Sequence, residues 1–469
     1  MVEPGWLSLV PSLLAIILAI ASRQVYLSLA AGVWAGWTIL SAWNPLTGAT
    51  EAIEATVRVL SDEAGAKVIV TTLVFGALVA TIEAGNRARS VVPSFEDGGL
   101  LDSPRRVQLL AWVTALVLFV DARTSVLVAG TIGRPLFDRF RVSREKLAYI
   151  IDATSASATA LIPLNMWAAY VIGMLAGLSV EDPVGVFLTA IPLNFYAIAT
   201  AVLAVATIMF SIELGPMKRA EERTRNGELL WDDATPMIDP GILLLPNGAV
   251  SRRAANVIVP VSALVMMMLG SLYVTGEGDV RAGSAPTSLL RSVLVALFVA
   301  CILLLAQRAC RVHELTRVAL HGAGAAVRTS FVLLLALALA GVANQLGIGD
   351  YIAGFASPAA SPFLFLPLVF LAGAGIAFAT GTALAAVVIL LPIVVPVATT
   401  LGLSSPPFVA ASLAGGVFGQ HASPISGTTI LASMATATDH IDHVRTQLPY
   451  TMIAAAVAVA GYALVGWLL

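Results

Sequence analysis

The sequence predicts an all-α polytopic membrane protein built as two inverted repeats, about ten transmembrane helices plus two re-entrant hairpins. Three observations carry that expectation. Of the 469 residues 58% are hydrophobic and only 12% charged, about half the charged fraction of an average soluble protein. Stretches such as Ala254 to Val274 and Tyr450 to Leu469 run almost without charge for the roughly 20 residues that a helix needs to cross about 30 Å of hydrocarbon. Basic residues gather in alternate connections, as they do where positive charge stays on the cytoplasmic side.

Apolar length places the candidate helices at residues 6–21, 25–43, 67–84, 147–174, 184–210, 254–274, 288–306, 327–345, 407–435 and 450–469. Glu3 stands where a signal peptide would carry a basic leader, and a second apolar segment follows, so the first stretch reads as a membrane helix. Connections holding Arg23, Arg87 to Arg106, Arg134 to Lys146, Lys218 to Arg253, Arg308 to Arg317 and Arg445 all fall on one side, the cytoplasm. Opposite connections carry acids instead, including Glu51, Glu54, Asp62, Glu63, Glu181, Asp182, Glu277 and Asp279. Cys301 and Cys310 make neither a disulfide framework nor a metal cluster. A net charge of −2 says nothing about partners; those expected are the lipid bilayer and a small ion or small-molecule substrate, and no nucleic acid.

Two segments do not fit as single crossings. Residues 107–135 have basic connections at both ends yet are too short for two full spans, so a re-entrant hairpin is expected, with its turn near Asp121-Ala122-Arg123-Thr124. Residues 362–400 look like the same device entered from the other face, turning near Thr380-Gly381-Thr382. After each hairpin comes a helix interrupted by small polar residues, Asp152 to Thr159 ahead of Pro163, and Gln420 to Thr429. Aligning Phe119-Val120-Asp121 with Phe378-Ala379-Thr380 sets Asp152-Ala153-Thr154-Ser155 against Gln420-His421-Ala422-Ser423. The opening helices of the two halves run in opposite directions.

The expected organisation is therefore a first repeat at 1–210 with hairpin 107–135 and broken helix 147–174. A cytoplasmic linker at 211–253 follows, then a second repeat at 254–469 with hairpin 362–400 and broken helix 407–435. Inverted repeats with interrupted helices meeting near the midplane are a secondary-transporter architecture.

Broken helices free backbone groups that lipid tolerates only when they are buried in protein or line a cavity. Asp121 and Arg123 are expected near mid-membrane, where charge is costly and marks function by default. Asp121 is a cation or proton site and Arg123 a carboxylate clamp, unless the two form a structural ion pair. Asp152 is the second buried acid, set against the alternative of a carboxyl satisfied by backbone amides at the break. His421 could carry protons or serve as a structural hydrogen-bonding group. Thr124, Thr154, Ser155, Thr380, Thr382, Gln420, Ser423 and Ser426 supply oxygens of the kind that hard cations favour, which makes Asp121 and Asp152 the candidate sodium ligands. Glu83 reads as a solvated carboxylate, and Asp439 to Arg445 as a cap and charge network in preference to a metal site.

The motifs Arg134-Pro-Leu-Phe-Asp-Arg-Phe-Arg-Val-Ser-Arg-Glu-Lys-Leu-Ala-Tyr-Ile-Ile-Asp-Ala-Thr154, Phe418-Gly-Gln-His-Ala-Ser-Pro-Ile-Ser-Gly-Thr-Thr-Ile-Leu431 and Asp439-His-Ile-Asp-His-Val-Arg-Thr-Gln-Leu-Pro-Tyr450 closely resemble the NhaC-type sodium/proton antiporters. The likeness spans nearly the whole chain. It implies a fold of two inverted repeats moving by an elevator-like mechanism, a coupling ion that is sodium and/or a proton, and no cofactor. Relative to that family, Gln420 and Gly427 stand where members carry Asp, and Ala122 and Arg123 where they carry a second acid beside an aromatic.

Cation/proton exchange is the expected function. Sodium- or proton-coupled transport of a carboxylate or amino acid is the alternative, favoured by Arg123. The scaffold is expected to form a homodimer. No nucleophile with its base, Gly-rich nucleotide loop or closed metal site stands out, so an enzyme or a non-transporting receptor is a remote reading.

Overall fold

The computed structural model describes residues 5–22, 24–85, 102–119, 122–163, 165–178, 180–236, 255–279, 283–348, 351 and 362–469. The fold is all-α. In the first half, α1 (Val10–Ser22), α2 (Val25–Leu40), α3 (Pro45–Ser61) and α4 (Glu63–Gly85) are followed by the helix pair α5 (Pro104–Val117) and α6 (Ala122–Arg139). Next come α7 (Arg144–Leu161), α8 (Met166–Gly177), α9 (Pro183–Ala190), α10 (Phe195–Phe210) and the short α11 (Pro216–Arg225). The second half holds α12 (Ala255–Thr275), α13 (Ala285–Ala306), α14 (Val312–Gln345) and the pair α15 (Phe365–Thr380) and α16 (Ala383–Thr400). It closes with α17 (Ser405–Ala422), α18 (Gly427–Thr436) and α19 (His440–Leu468).

Local chemistry explains where these helices begin. Asn44-Pro45, Ser103-Pro104 and Asp182-Pro183 each put a side-chain oxygen at the N-cap and proline at the first helical position, where its fixed φ and missing N–H cost nothing. Asn194 and Asp439 cap α10 and α19 in the same way. Among the described residues, five helices are long and apolar enough to cross a membrane, and six if the pair α9 with its 3-10 extension and α10, bent by 45°, is one span. Several shorter helices, including α2 and α15, are as apolar but below spanning length. Large side chains such as Leu269, Phe298, Leu368 and Leu464 remain exposed, an outward surface suited to lipid and unsuited to water.

The structure differs from the sequence reading at four places. The acidic connection before residue 67 is mostly helical, as α3. The helix expected from 327 starts at Val312. The stretch expected as a linker contains α11, folded against its surroundings. The first interruption falls after Leu161, between α7 and α8, not within Asp152 to Thr159, which is continuous α7. The serines and threonines there bond back along the helix, Thr154 to the Ile150 carbonyl at 2.6 Å and Ser157 to that of Ala153 at 2.8 Å, so they satisfy the helix without breaking it. Pro163 does break it, by removing an N–H and restricting the residue before it.

Helices α1–α4 pack with α12–α14, whereas the pair α5–α6 packs on α7 and α18, and the pair α15–α16 packs on α17. Glycines let the second pair pack closely. Gly381, at φ 73°, closes the turn between α15 and α16 in a left-handed conformation that other residues resist, and a Cβ there would press on the Ile425 carbonyl. A Cβ at Gly419 of α17 would overlap the Ala374 carbonyl of α15, so backbone meets backbone as in small-residue membrane interfaces.

A buried charge network fastens the 211–236 stretch to α7 and α19. Arg223 donates to both carboxylate oxygens of Glu145 at 2.8 and 3.0 Å, with side chains 2% and 0% exposed, and stacks over Trp231 at 4.6 Å. The Ser143 N–H and hydroxyl donate to Glu221 at 2.8 and 2.6 Å. Lys146 pairs with Glu213 at 3.3 Å. The Thr235 N–H and hydroxyl donate to one Asp439 oxygen while the Ile441 and Asp442 N–H groups donate to the other. Partial burial works against the Asp439 charge, but these bonds prevail and hold its carboxyl below the usual range.

Two outcomes follow for this clamp. Arg223→Ala leaves Glu145 buried and alone, a change that costs about 3–5 kcal/mol in buried pairs, and is expected to lower the melting temperature of the purified protein and expose 226–236 to protease. Asp439→Ala is expected to cost about 1 kcal/mol through the lost cap. Because the folded carboxyl titrates below its unfolded value, that contribution is complete above about pH 4 and fades as pH falls further, so mutant and wild-type melting curves should converge only in acid.

Candidate functional site

The turn between α15 and α16 meets the interruption between α17 and α18, and one side chain joins them. Gln420 accepts the Ala383 N–H at 2.7 Å and donates to the Thr428 hydroxyl at 3.2 Å. Ser423, in the interruption, donates to the Phe378 carbonyl at 2.7 Å, and Ser426 lies 3.0 Å from the Thr428 hydroxyl. In the first half, Ser155 donates to the Ala122 carbonyl at 3.2 Å, and Asn165 closes the interruption by donating to the Thr159 and Ile162 carbonyls at 2.9 and 2.8 Å. Of these, the bonds to Ala383 N–H and to the Phe378, Ala122, Thr159 and Ile162 carbonyls pair backbone groups at helix ends and turns that lipid could not satisfy.

Between these elements lies a cavity of about 170 Å³. Ala122 and Ala383 reach it from the two helix-pair turns; Ala156, Thr159, Asn165, Trp167 and Tyr170 from α7 and α8; Val417, Gln420, His421 and Thr428 from α17 and α18. His421 is 1% exposed, and its Nδ1 lies 2.8 Å from the Tyr196 hydroxyl. Two polar atoms of the lining residues, Trp167 Nε1 and His421 Nε2, have no hydrogen-bond partner.

Beside the cavity is a second polar cluster. Asp152, in the middle of α7, is 1% exposed, and neither carboxylate oxygen has a well-formed hydrogen bond. The polar side chains nearest it are Thr429 of α18 and Gln447 of α19. The Thr429 hydroxyl, Gln447 Oε1 and His443 Nε2 are likewise buried and unpartnered. Gln447 uses its amide nitrogen on the His421 carbonyl at 2.8 Å, and His443 Nδ1 lies 2.9 Å from the Ser433 hydroxyl. An unpaired carboxylate in so dry a place is costly, and oxygens from an acid, a hydroxyl and an amide suit a hard cation or a proton. Among the described residues no group of three His, Cys, Asp or Glu could hold a metal ion.

The candidates chosen from sequence thus separate. Gln420 and His421 line the cavity, and Asp152 centres the neighbouring cluster. Thr154, Ser155, Thr380, Ser423 and Ser426 have their hydroxyls in backbone or local bonds, and Thr382 is the N-cap of α16. Arg123, exposed in the first turn of α6, is not part of the cavity wall. Asp121 lies outside the described residues, as do the side chains of Thr124 and Glu83. Sequence reasoning missed Asn165, Trp167, Tyr170, His443 and Gln447. The last two had a signal, since they stand four apart on one helix face.

An uncharacterised protein of Haemophilus influenzae is 31% identical over 98% of this chain and 91% of its own length. The arginine/ornithine antiporter ArcD of Halobacterium salinarum is 35% identical over 106 residues, 23% of this chain and 22% of that protein. In fold, the chain is similar to Neisseria gonorrhoeae MtrF, described with a class of antimetabolite efflux pumps, at a TM-score of 0.59 and 14% identity, covering 89% of this chain and 84% of that one. Residues 167–467 match the model of the Na+/H+ antiporter family. With its long apolar helices and a bacterial relative of equal span, this is a multi-pass protein of the prokaryotic plasma membrane, a transporter and not an enzyme, and the chain belongs to the Na+/H+ antiporter family.

Proposed function

We propose that the chain is a cation/proton antiporter, with sodium/proton exchange the leading case, and that Asp152 is the group that cation and proton occupy in turn. The observation carrying this is the buried Asp152 carboxylate, without a well-formed hydrogen bond and with the Thr429 and Gln447 side chains beside it. Charge at such depth is tolerated when neutralised. Either ligand neutralises it, so occupancy by one excludes the other, which is the requirement for exchange. Asp121 remains the second candidate acid.

Alternating access is supported by the recurring order of elements. In both halves a helix pair precedes an interrupted helix, α5–α6 before α7 and α8, and α15–α16 before α17 and α18. With the positive-inside orientation, this order is that of two inverted repeats at 1–210 and 254–469 joined by 211–253, about ten crossings in all, with both pairs re-entrant from opposite faces. The pairs and interrupted helices would slide together against α1–α4 and α12–α14, which form the homodimer scaffold. The short match to ArcD favours a second reading, exchange of an amino acid or other carboxylate, through which the same Asp152 would supply the coupling ion.

Asp152→Asn is expected to abolish sodium-driven proton movement in proteoliposomes followed with a pH-sensitive dye, while the purified protein stays monodisperse with an unchanged or higher melting temperature. Wild-type rates in that variant would sink the assignment. Gln447→Leu removes one oxygen and is expected to raise the sodium concentration for half-maximal rate by about tenfold, the loss of one hydrogen-bond-strength contact to a charge.

A further inference from the structure

We infer that the groove between α13 and α14 holds an acyl chain of an anionic phospholipid whose headgroup sits on the arginines at its mouth. Consecutive helices joined by a short connection, here residues 307–311, ordinarily pack on each other. These two pack along α4 instead. Gly322 lets α14 settle onto α4, since a Cβ there would overlap the Gly76 carbonyl and the Ala80 methyl. On its other flank α4 meets α13 through Phe75, Val79, Val293 and Ala300. The two helices therefore stand apart, and a groove of about 430 Å³ stays open between them, floored by Leu73, Val74 and Ala77 of α4.

The groove is built for hydrocarbon. Among the described residues its wall carries no charged side chain, and the Thr316 hydroxyl in it already donates to the Val312 carbonyl at 3.0 Å. Left empty, such a wall forfeits dispersion contacts on its open side. Its length is that of one leaflet. The lining runs along α13 from Leu305 back to Leu294 and along α14 from Val312 to Ala323, eleven residue steps on each helix, or about 16 Å at 1.5 Å per residue. Because α13 extends from Ala285 to Ala306, the groove occupies only the half nearer the 307–311 connection, about half of the roughly 30 Å of hydrocarbon. A partner helix crossing the bilayer would use the full thickness, whereas a chain rooted in one leaflet uses that half.

Charge at the mouth selects the headgroup. Arg308 follows the lining residue Leu305 by three positions, Arg311 precedes Val312 and Arg317 follows Thr316. All three arginines are exposed, against one acid in the stretch, Glu314, which accepts the Arg311 N–H as a helix cap. Arg308 closes α13 at φ 53°, a left-handed position that ordinarily goes to glycine, so a guanidinium is kept at the mouth at a conformational cost. Basic connections lie on the cytoplasmic side, where anionic lipids attract them. A guanidinium meets phosphate oxygens with paired N–H groups, and the apolar groove beneath receives the chain.

Cys301 lines the groove and Cys310 does not, and these are the chain's two cysteines, so in full-length Cys310→Ser protein a maleimide reports on the groove alone. The purified protein is delipidated in detergent and titrated with palmitoyl-oleoyl phosphatidylglycerol or with the zwitterionic phosphatidylcholine of the same chains. Phosphatidylglycerol is expected to protect Cys301 at an at least about tenfold lower concentration, in keeping with the attraction of several arginines for an anionic headgroup, and native mass spectrometry is expected to show it bound. Arg308→Gln, Arg311→Gln and Arg317→Gln together, all at exposed positions, are expected to erase that preference. Ala319→Trp, which fills the groove, is expected to remove the bound lipid while size-exclusion chromatography shows the protein still monodisperse. Equal protection by the two lipids, a preference that survives the three substitutions, or lipid retained by the folded Ala319→Trp protein overturns the proposal. Cys301 shielded without lipid and cross-linking to Cys301 of a second copy also overturns it, and makes the groove a contact between subunits.

Discussion

Gln420 is the tie on which the centre of this protein depends. A helix interrupted inside a membrane protein exposes N–H and C=O groups, and lipid offers them no partner. One carboxamide meets that need on two sides, accepting from the first amide of α16 and donating to the hydroxyl that opens α18. A carboxylate, which sodium/proton antiporters of the resembled type carry here, could accept but not donate when ionised. The glutamine therefore locks the turn of the second helix pair to both halves of the broken helix, and leaves no charge at that point.

From that tie follows the distribution of polarity around it. Both halves bring helix ends and neutral polar side chains to the cavity, while the buried acid Asp152 comes from the first half, with Thr429 and Gln447 beside it from α18 and α19. Gln420 is neutral where Asp152 is an acid, so a recurring order of elements holds an asymmetric centre. Farther out, the Glu145–Arg223 pair and the double use of Asp439 anchor the 211–236 stretch to the helices that carry that centre, α7 and α19.

Much of this was legible in the sequence because membrane burial leaves a one-dimensional mark. Apolar length, the scarcity of charge and the alternation of basic connections established a polytopic helical membrane protein, and the quoted motifs its family. The second interruption, at 423–426, falls inside the Gln420 to Thr429 stretch expected from its small polar residues, with helix continuing on both sides of it. Small polar residues do not by themselves break the first helix: Thr154 and Ser157 return their hydroxyls to it, and the proline after them is what stops it. Asp439 is the cap that the sequence suggests, whereas Gln447 stands beyond the Asp439 to Arg445 pattern, and nothing linear sets it beside Asp152.

What the sequence by itself determined is the class of molecule, its family and the identity of a buried acid, since each depends on composition or on contiguous residues. What only the tertiary structure decided is which polar groups remain unpaired once the chain has folded. Asp152, Gln447 and Trp167 lie hundreds of positions apart or on different helices, and whether an oxygen or an N–H is satisfied depends on neighbours brought in by packing. The chemistry of the site resides in those unpaired atoms, and no linear pattern records them.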